Sequence, residues 1–501
     1  MEKRAWRYSL QGRENIDTIH MKTITTNSPQ IYNNLDKLRF SSKKSATSRE
    51  NVEDYDSGFI KKIVMCAIPL NAVFLISYFW HVNWDLMKVF CIFLWACFPF
   101  VCTKADWEMH KRSGLTPLIL ILIVFQGFSV IFGIINAGEF SQYYHFYSIF
   151  HKPTTRGITM YMSTIIKLSW LFFIPIFLKT ESDIIKLLKI GVFWVTLNMF
   201  LGFLQFILWF GGIKWPSYMF YFGSYREYGG IVETVQATHK LFNVEVPRIF
   251  GLIGEPKHFG IWLVIGIGMI LFLRLAGYKT KLTGGWNIFL FYVAMILSGS
   301  ATPYVGLVGL LLFGLFLPMS KFDRKWLVAP VIIIAIIMSS LEVRNLLDRP
   351  IDQFEVAIRQ ERSQIAEVDN IVTAFEYLKE HPLDLIWGTG YGLQVFLLIP
   401  YREVARWDPR ILMGSPGSVW FDSLLWGGIT PTLILALIYW KFFKLCYNFR
   451  NRKCSYILPI FGAIFLFSLI RNPDTLFYIF GGTAIALTNI ETTYKKGHSK
   501  Y

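Results

Sequence analysis

Four ionisable residues fall within eleven positions at the start of an apolar run: Arg248, Glu255, Lys257 and His258 in RIFGLIGEPKHFGIW. Such a set can hold a phosphate and move a proton. Cationic side chains balance an anion, and the amides at a helix start favour one further. Glu255 and His258 are three apart, so on a helix opening at Pro256 they share a face, where either could deprotonate a hydroxyl. The same charges aimed at acyl chains would cost roughly 2.5–3.5 kcal/mol each even on a lenient insertion scale. Two readings stand on the residues alone. One is an anion pocket; the other has Lys257 snorkelling to headgroups while Glu255 pairs with Arg248.

A second group lies further along: Arg359, Arg362, Arg402, Arg406 and Arg410, with Tyr391, Tyr401, Trp407 and Trp420 among them. Guanidinium groups bind phosphate bidentately, and aromatic faces stack on sugar rings. The plainer alternatives are a solvated surface laced with ion pairs and a belt of interfacial aromatics. Other chemistries are set aside. The GTGYG at Gly388–Gly392 lacks the Lys-Ser/Thr of a phosphate loop, no HExxH or GxSxG occurs, and the six cysteines form no CxxC pair. No metal and no cofactor is expected.

The elements that must position these groups are apolar blocks. The 501-residue chain has a mean hydropathy of +0.41, and 53% of its residues are apolar or aromatic. The blocks run to about twenty residues, the length of helix that crosses a bilayer core. The expected fold is therefore an all-α polytopic membrane protein with about twelve transmembrane helices. They lie near 60–80, 86–103, 115–136, 157–178, 186–211, 257–275, 286–300, 302–319, 326–340, 418–440, 455–470 and 475–490. The net charge of +16 collects in the first residues and in alternate short loops, which fits the positive-inside rule rather than nucleic-acid binding. That parity makes residues 1–58 a disordered cytoplasmic tail without a signal peptide, 59–490 the membrane domain, and 491–501 a second cytoplasmic tail. Two long connectors, 212–256 and 341–418, then lie outside. Within the latter, Ile365, Val368, Val372, Phe375 and Leu378 predict an amphipathic helix over about 364–380, stopped by His381-Pro382.

Four stretches in this order resemble the O-antigen polymerase/ligase superfamily. RIFGLIGEPKHFGIW resembles its R-x-x-G-x-x-x-E-P segment, and LSGSATPYVGLVGLLLF (297–313) its L-T-G-S-R-T span pair. HPLDLIWGTGYG (381–392) is similar to its N-P-x-x-G-x-G-x-G loop, and WFDSLLWGGITPTLIL (420–435) to the helix that follows. Ala301 stands where the family has an arginine, and Gly417-Ser418 stand where the ligase branch has His-Asn, which favours the polymerase branch. The resemblance implies an inverting, metal-independent glycosyltransferase in a bacterial cytoplasmic membrane. It would join undecaprenyl-pyrophosphate-linked oligosaccharide repeat units into an O-antigen, capsule or exopolysaccharide. Membrane lipids, a chain-length regulator and a flippase would be its partners. Under that reading Glu255 or His258 acts on the acceptor hydroxyl, and Arg248, Lys257, Arg359, Arg362, Arg402 and Tyr391 bind pyrophosphate and sugar. A ligase that moves finished glycan to lipid A core or protein, and a lipid-linked sugar flippase using Lys167, are the competing expectations.

Overall fold

The computed structural model describes residues 54–72, 86–140, 152–213, 238–241, 244–253, 256–300, 302–317, 324–325, 327–328, 332, 366–397, 417–447 and 453–498. Within them the chain is mostly helical. The first stretch holds α1 (Asp54–Met65), α2 (Ala67–Ala72), α3 (Leu86–Val101), α4 (Lys104–Ser113), α5 (Leu115–Asn136), α6 (Pro153–Phe177) and α7 (Glu181–Phe210). A hairpin, β1 (Thr238–Leu241) and β2 (Val244–Pro247), leads to α8 (Pro256–Leu275), α9 (Gly285–Ser298) and α10 (Thr302–Gly314). Then come α11 (Ala366–Glu380), α12 (Asp384–Trp387), α13 (Gln394–Leu397), α14 (Val419–Gly427), α15 (Ile429–Tyr447), α16 (Leu458–Ile470) and α17 (Asp474–His498).

Among the described residues, six helices are long and apolar enough to cross a membrane, or seven if the bent pair α3–α4 counts as one passage. The expectation of about twelve includes shorter apolar helices, α9 and α10, and segments such as 326–340 that lie largely outside the described residues. Two details differ from the expected all-α layout. The β1–β2 hairpin is one: β-branched Val244 and Val246 alternate along β2, a pattern that suits extended backbone. The other is the expected passage 418–440, which is split in two. Gly428 adopts φ 74° and ψ −158°, a conformation that ends α14, and α15 begins afresh at Ile429.

The helices differ in what surrounds them. α8 is the hub, with 83% of its apolar window buried against neighbours, while α5 has only 28% buried. The open face of α5 carries Val124, Phe128, Ile131, Phe132 and Ile135, an apolar surface suited to acyl chains. Close packing relies on small residues. Gly309 on α10 and Gly462 on α16 touch each other's backbone, so neither has room for a Cβ.

Capping boxes and ion pairs gather at one end of the bundle. Thr103 and Thr180 cap α4 and α7 through capping boxes with Asp106 and Asp183. At the same end Lys61 pairs with Asp183 at 3.0 Å, Lys453 pairs with Glu181, and Lys189 lies 4.4 Å from the centre of the Tyr278 ring. Loops that the charge pattern assigns to one side therefore meet on one face. The start of α8 and the turn between α16 and α17 lie at the opposite face.

Candidate functional site

The RIFG stretch is drawn inward by two buried amides on α7. Gln205 Oε1 accepts from the Phe250 and Gly251 amides at 2.9 and 3.2 Å, and Asn198 Oδ1 accepts from Leu252 N at 3.2 Å. Backbone polar groups in this apolar setting must be paired, and Gln205 and Asn198 supply the acceptors. Gly251 has φ +56°, and a Cβ there would lie 2.6 Å from the Asn198 carbonyl, so glycine is needed for both reasons. Arg248 donates from Nε to the Ser298 carbonyl at 3.1 Å, while Ile249 N reaches the Leu297 carbonyl. Arg248 is thereby tied to the end of α9.

α8 then opens at Pro256, with Lys257 half-buried and His258 exposed in its first turn. Arg471, just past the end of α16, places Nη1 3.1 Å from His258 Nε2. A guanidinium can only donate, so Nε2 accepts and the imidazole is the neutral Nδ1–H tautomer. While that contact holds, Nε2 is occupied and any proton transfer at His258 falls to Nδ1. Lys257 and Lys167 lie within electrostatic range of the same ring, and Lys167 also acts on Asp474. Lys257, His258 and Arg471 thus gather around the start of α8, with Lys167 of α6 within electrostatic range.

Beside this cluster a cavity of about 720 Å³, counted out to its open mouth, lies among α5, α6, α14, α15 and α17. Ile119, Ile123, Leu435 and Ile438 line one part of it, and the rest is polar and aromatic. Asp422, Asp474, Gln126 and Gln394 face it, as do Tyr391, Tyr439, Tyr478 and Trp426.

Its wall is completed by a loop that enters from the end of α12. Thr389 N and Gly390 N donate to the Leu425 and Trp426 carbonyls at 2.8 and 3.1 Å, which satisfies the broken end of α14. Tyr391 N donates to the Ser129 carbonyl on α5 at 3.0 Å, and Ser129 Oγ returns to the Trp426 carbonyl at 2.8 Å. Backbone meets backbone here. A Cβ on Gly157 of α6 would overlap the Tyr391 carbonyl, and one on Gly392 would overlap Gly157. The Tyr391 hydroxyl lies 3.3 Å from Thr164 Oγ1, and its ring stands edge-on to Trp426 at 5.2 Å. GTGYG, part of the connector 341–418 expected to lie outside, is thus seated between two helices.

The amphipathic helix expected over 364–380 corresponds to α11. It packs on α14 through Phe375 against Phe421, with ring centres 4.9 Å apart, and is joined to α12 by Tyr377 Oη donating to Asp384 at 2.5 Å.

Of the residues singled out from the sequence, Lys257 and His258 come together with Arg471 and Lys167. Tyr391 faces the neighbouring cavity, and Arg248 is fixed to α9. Glu255, Arg359, Arg362, Arg402, Arg406 and Arg410 lie outside the described residues. Sequence reading missed Arg471, Asn472 and Asp474, which sit in the short turn between two apolar blocks. The signal was the run RNPD itself: two ionisable groups in a connector four residues long, at the end where both extended loops were expected.

Among the described residues no group of His, Cys, Asp and Glu is arranged to hold a metal ion. No protein-family model matches the chain, and no curated protein matches it.

Proposed function

We propose that the protein is a membrane glycosyltransferase that polymerises polyprenyl-pyrophosphate-linked oligosaccharides at the outer face of a bacterial cytoplasmic membrane. One observation carries the reading: a cationic cluster of Lys167, Lys257, His258 and Arg471 borders a cavity lined by carboxylates and aromatic rings, at the end opposite the ion-paired basic face. In a single displacement the acceptor hydroxyl oxygen attacks the anomeric carbon of the donor glycan. The bond from that carbon to the phosphate oxygen breaks, its electron pair leaves with the pyrophosphate, and the hydroxyl proton passes to a base. Negative charge grows on the leaving phosphate, so fixed cations lower the barrier. Arg471, Lys257 and Lys167 are suited to that task, with His258 orienting Arg471. Arg248, and Arg359, Arg362 and Arg402 of the long connector, would add to the same phosphate site. The carrier lipid reaches the site from the bilayer, and no nucleic acid is involved.

Deleting the gene and resolving the surface polysaccharide on a gel tests this directly. Loss of a polymerase leaves single repeat units on their anchor. Long chains retained on the carrier would instead indicate a ligase, and no glycan outside would indicate a flippase. In complementation, Lys257→Ala and Arg471→Ala should insert normally and make no polymer. Chains of normal length from both variants would refute the phosphate assignment.

A further inference from the structure

We propose that the cavity among α5, α6, α14, α15 and α17 is the binding site for the acceptor saccharide, with Asp474 as the base that takes its hydroxyl proton; this rests on the glycosyltransferase reading above. The lining selects the ligand. No lysine or arginine lines the cavity among the described residues, while Asp422 and Asp474 both do, so with Lys167 alone acting on Asp474 from outside the lining, the cavity favours a neutral ligand over an anion. An acyl or isoprenoid chain would strip water from two carboxylates and offer neither a hydrogen bond in return. A neutral ring bearing hydroxyls on its edge and C–H groups on its face satisfies both kinds of wall. Its hydroxyls donate to the carboxylates and to Gln126 and Gln394, and its apolar face lies on Tyr439 or Tyr478.

Two further observations point to a polar ligand. Ser423 faces the cavity, is 3% exposed, and its hydroxyl has no hydrogen-bond partner among the described residues. On another wall, Gln126 Oε1 is likewise buried and unpartnered. Buried groups left this way in a membrane protein cost free energy unless something binds them.

Asp474 is placed by a turn that faces both ways. Arg471, at one end, reaches His258 in the cationic cluster, while Asp474, three residues on, lines the cavity as the first residue of α17. Asn472 Oδ1 accepts the Asp474 amide at 3.2 Å and shapes the turn between them. The leaving phosphate and the attacking hydroxyl must lie on opposite sides of one anomeric carbon. Arg471 and Asp474 serve those two sides from a single connector. In the step, the hydroxyl O–H bond breaks as the new C–O bond forms, and the proton goes to the Asp474 carboxylate.

The test uses full-length protein in nanodiscs with two probes. One is the lipid-linked saccharide extracted from cells lacking the gene. The other is the water-soluble glycan freed from that saccharide by mild acid. Wild type should bind the free glycan by saturation-transfer NMR, while Ser423→Phe, which fills the cavity, should not. Chain extension should fall about 10²–10⁴-fold in Asp474→Asn, in kcat far more than in acceptor KM, and the acid limb of its pH–rate profile should vanish. If Ser423→Phe does not fold, Gln126→Trp narrows the same space from another wall. Glycan binding unchanged in a folded cavity-filling variant overturns the acceptor site. Extension by Asp474→Asn at the wild-type rate overturns the base. A wild-type protein that extends no chains rejects the glycosyltransferase reading instead, and the free-glycan binding then still decides whether the cavity takes a saccharide.

Discussion

Gly157→Ala separates the seating of the 388–392 loop from general packing. A Gly-to-Ala change inside a helix gains about 1 kcal/mol from backbone entropy. Against that, the new methyl would overlap the Tyr391 carbonyl oxygen, and both atoms belong to backbone that cannot rotate away. Overpacking of this kind costs about 1–3 kcal/mol, so the net loss is about 0–2 kcal/mol, a few degrees of apparent melting temperature for a chain of this size. Relief requires the loop to retreat by about 1 Å, and a displacement of that size can lower a rate about 100-fold. Gly133→Ala meets the same carbonyl at 2.8 Å and needs a smaller shift, so it should lie between Gly157→Ala and wild type. Gly127→Ala is the control, because its methyl meets the mobile hydroxyl end of Tyr161 at 2.9 Å. Nanodisc-embedded variants would be compared by thermal melting and by chain extension. The expected pattern for Gly157→Ala is a small change in melting with a large loss of extension. Extension within about threefold of the Gly127→Ala rate would mean that the position of Tyr391 does not govern the site, and the reasoning fails.

Gln205→Leu leaves the Phe250 and Gly251 amides without their acceptor, at about 1–3 kcal/mol each, and should lower the melting temperature more than Gln205→Glu; equal melting would show that water replaces the side chain. His110 on α4 is fully buried, 3.2 Å from Thr116 Oγ1 and packed on Phe172, and burial pushes its pKa down to about 4 despite nearby Asp106. The unfolded chain binds this proton first, so the neutral ring leaves stability intact above about pH 6.5 and progressively less down to about pH 4, with a total loss of roughly 3 kcal/mol. His110→Gln should flatten that slope in pH-dependent melts, and an unchanged slope would assign it to other groups.

The sequence made legible what depends on local pattern. Apolar block length marks the long helices, Pro256 marks the start of α8, and the three-to-four spacing from Ile365 to Leu378 anticipates α11. Lys257 and His258 stood out because charge at the mouth of an apolar helix is costly wherever it points. What stayed hidden depends on distant segments meeting. RNPD reads as an ordinary connector until α16 and α8 bring Arg471 to His258. The break at Gly428 is masked because apolar residues continue on both sides, so composition suggests one passage where the backbone makes two. GTGYG signals a turn, but only Gly133 and Gly157, more than two hundred residues away, provide the slot it occupies.

The truncated end of α14 has a bearing on biogenesis. Its exposed carbonyls at Leu425 and Trp426 find their donors in Thr389 and Gly390, which the ribosome delivers first. Neither piece can reside stably in hydrocarbon alone, since each would carry unsatisfied peptide groups there. The 388–392 segment therefore has its backbone partners only once α14 has emerged. A ribosome stalled before Val419 should leave Tyr391 open to labelling or protease from the aqueous side, and completing the chain should close it off.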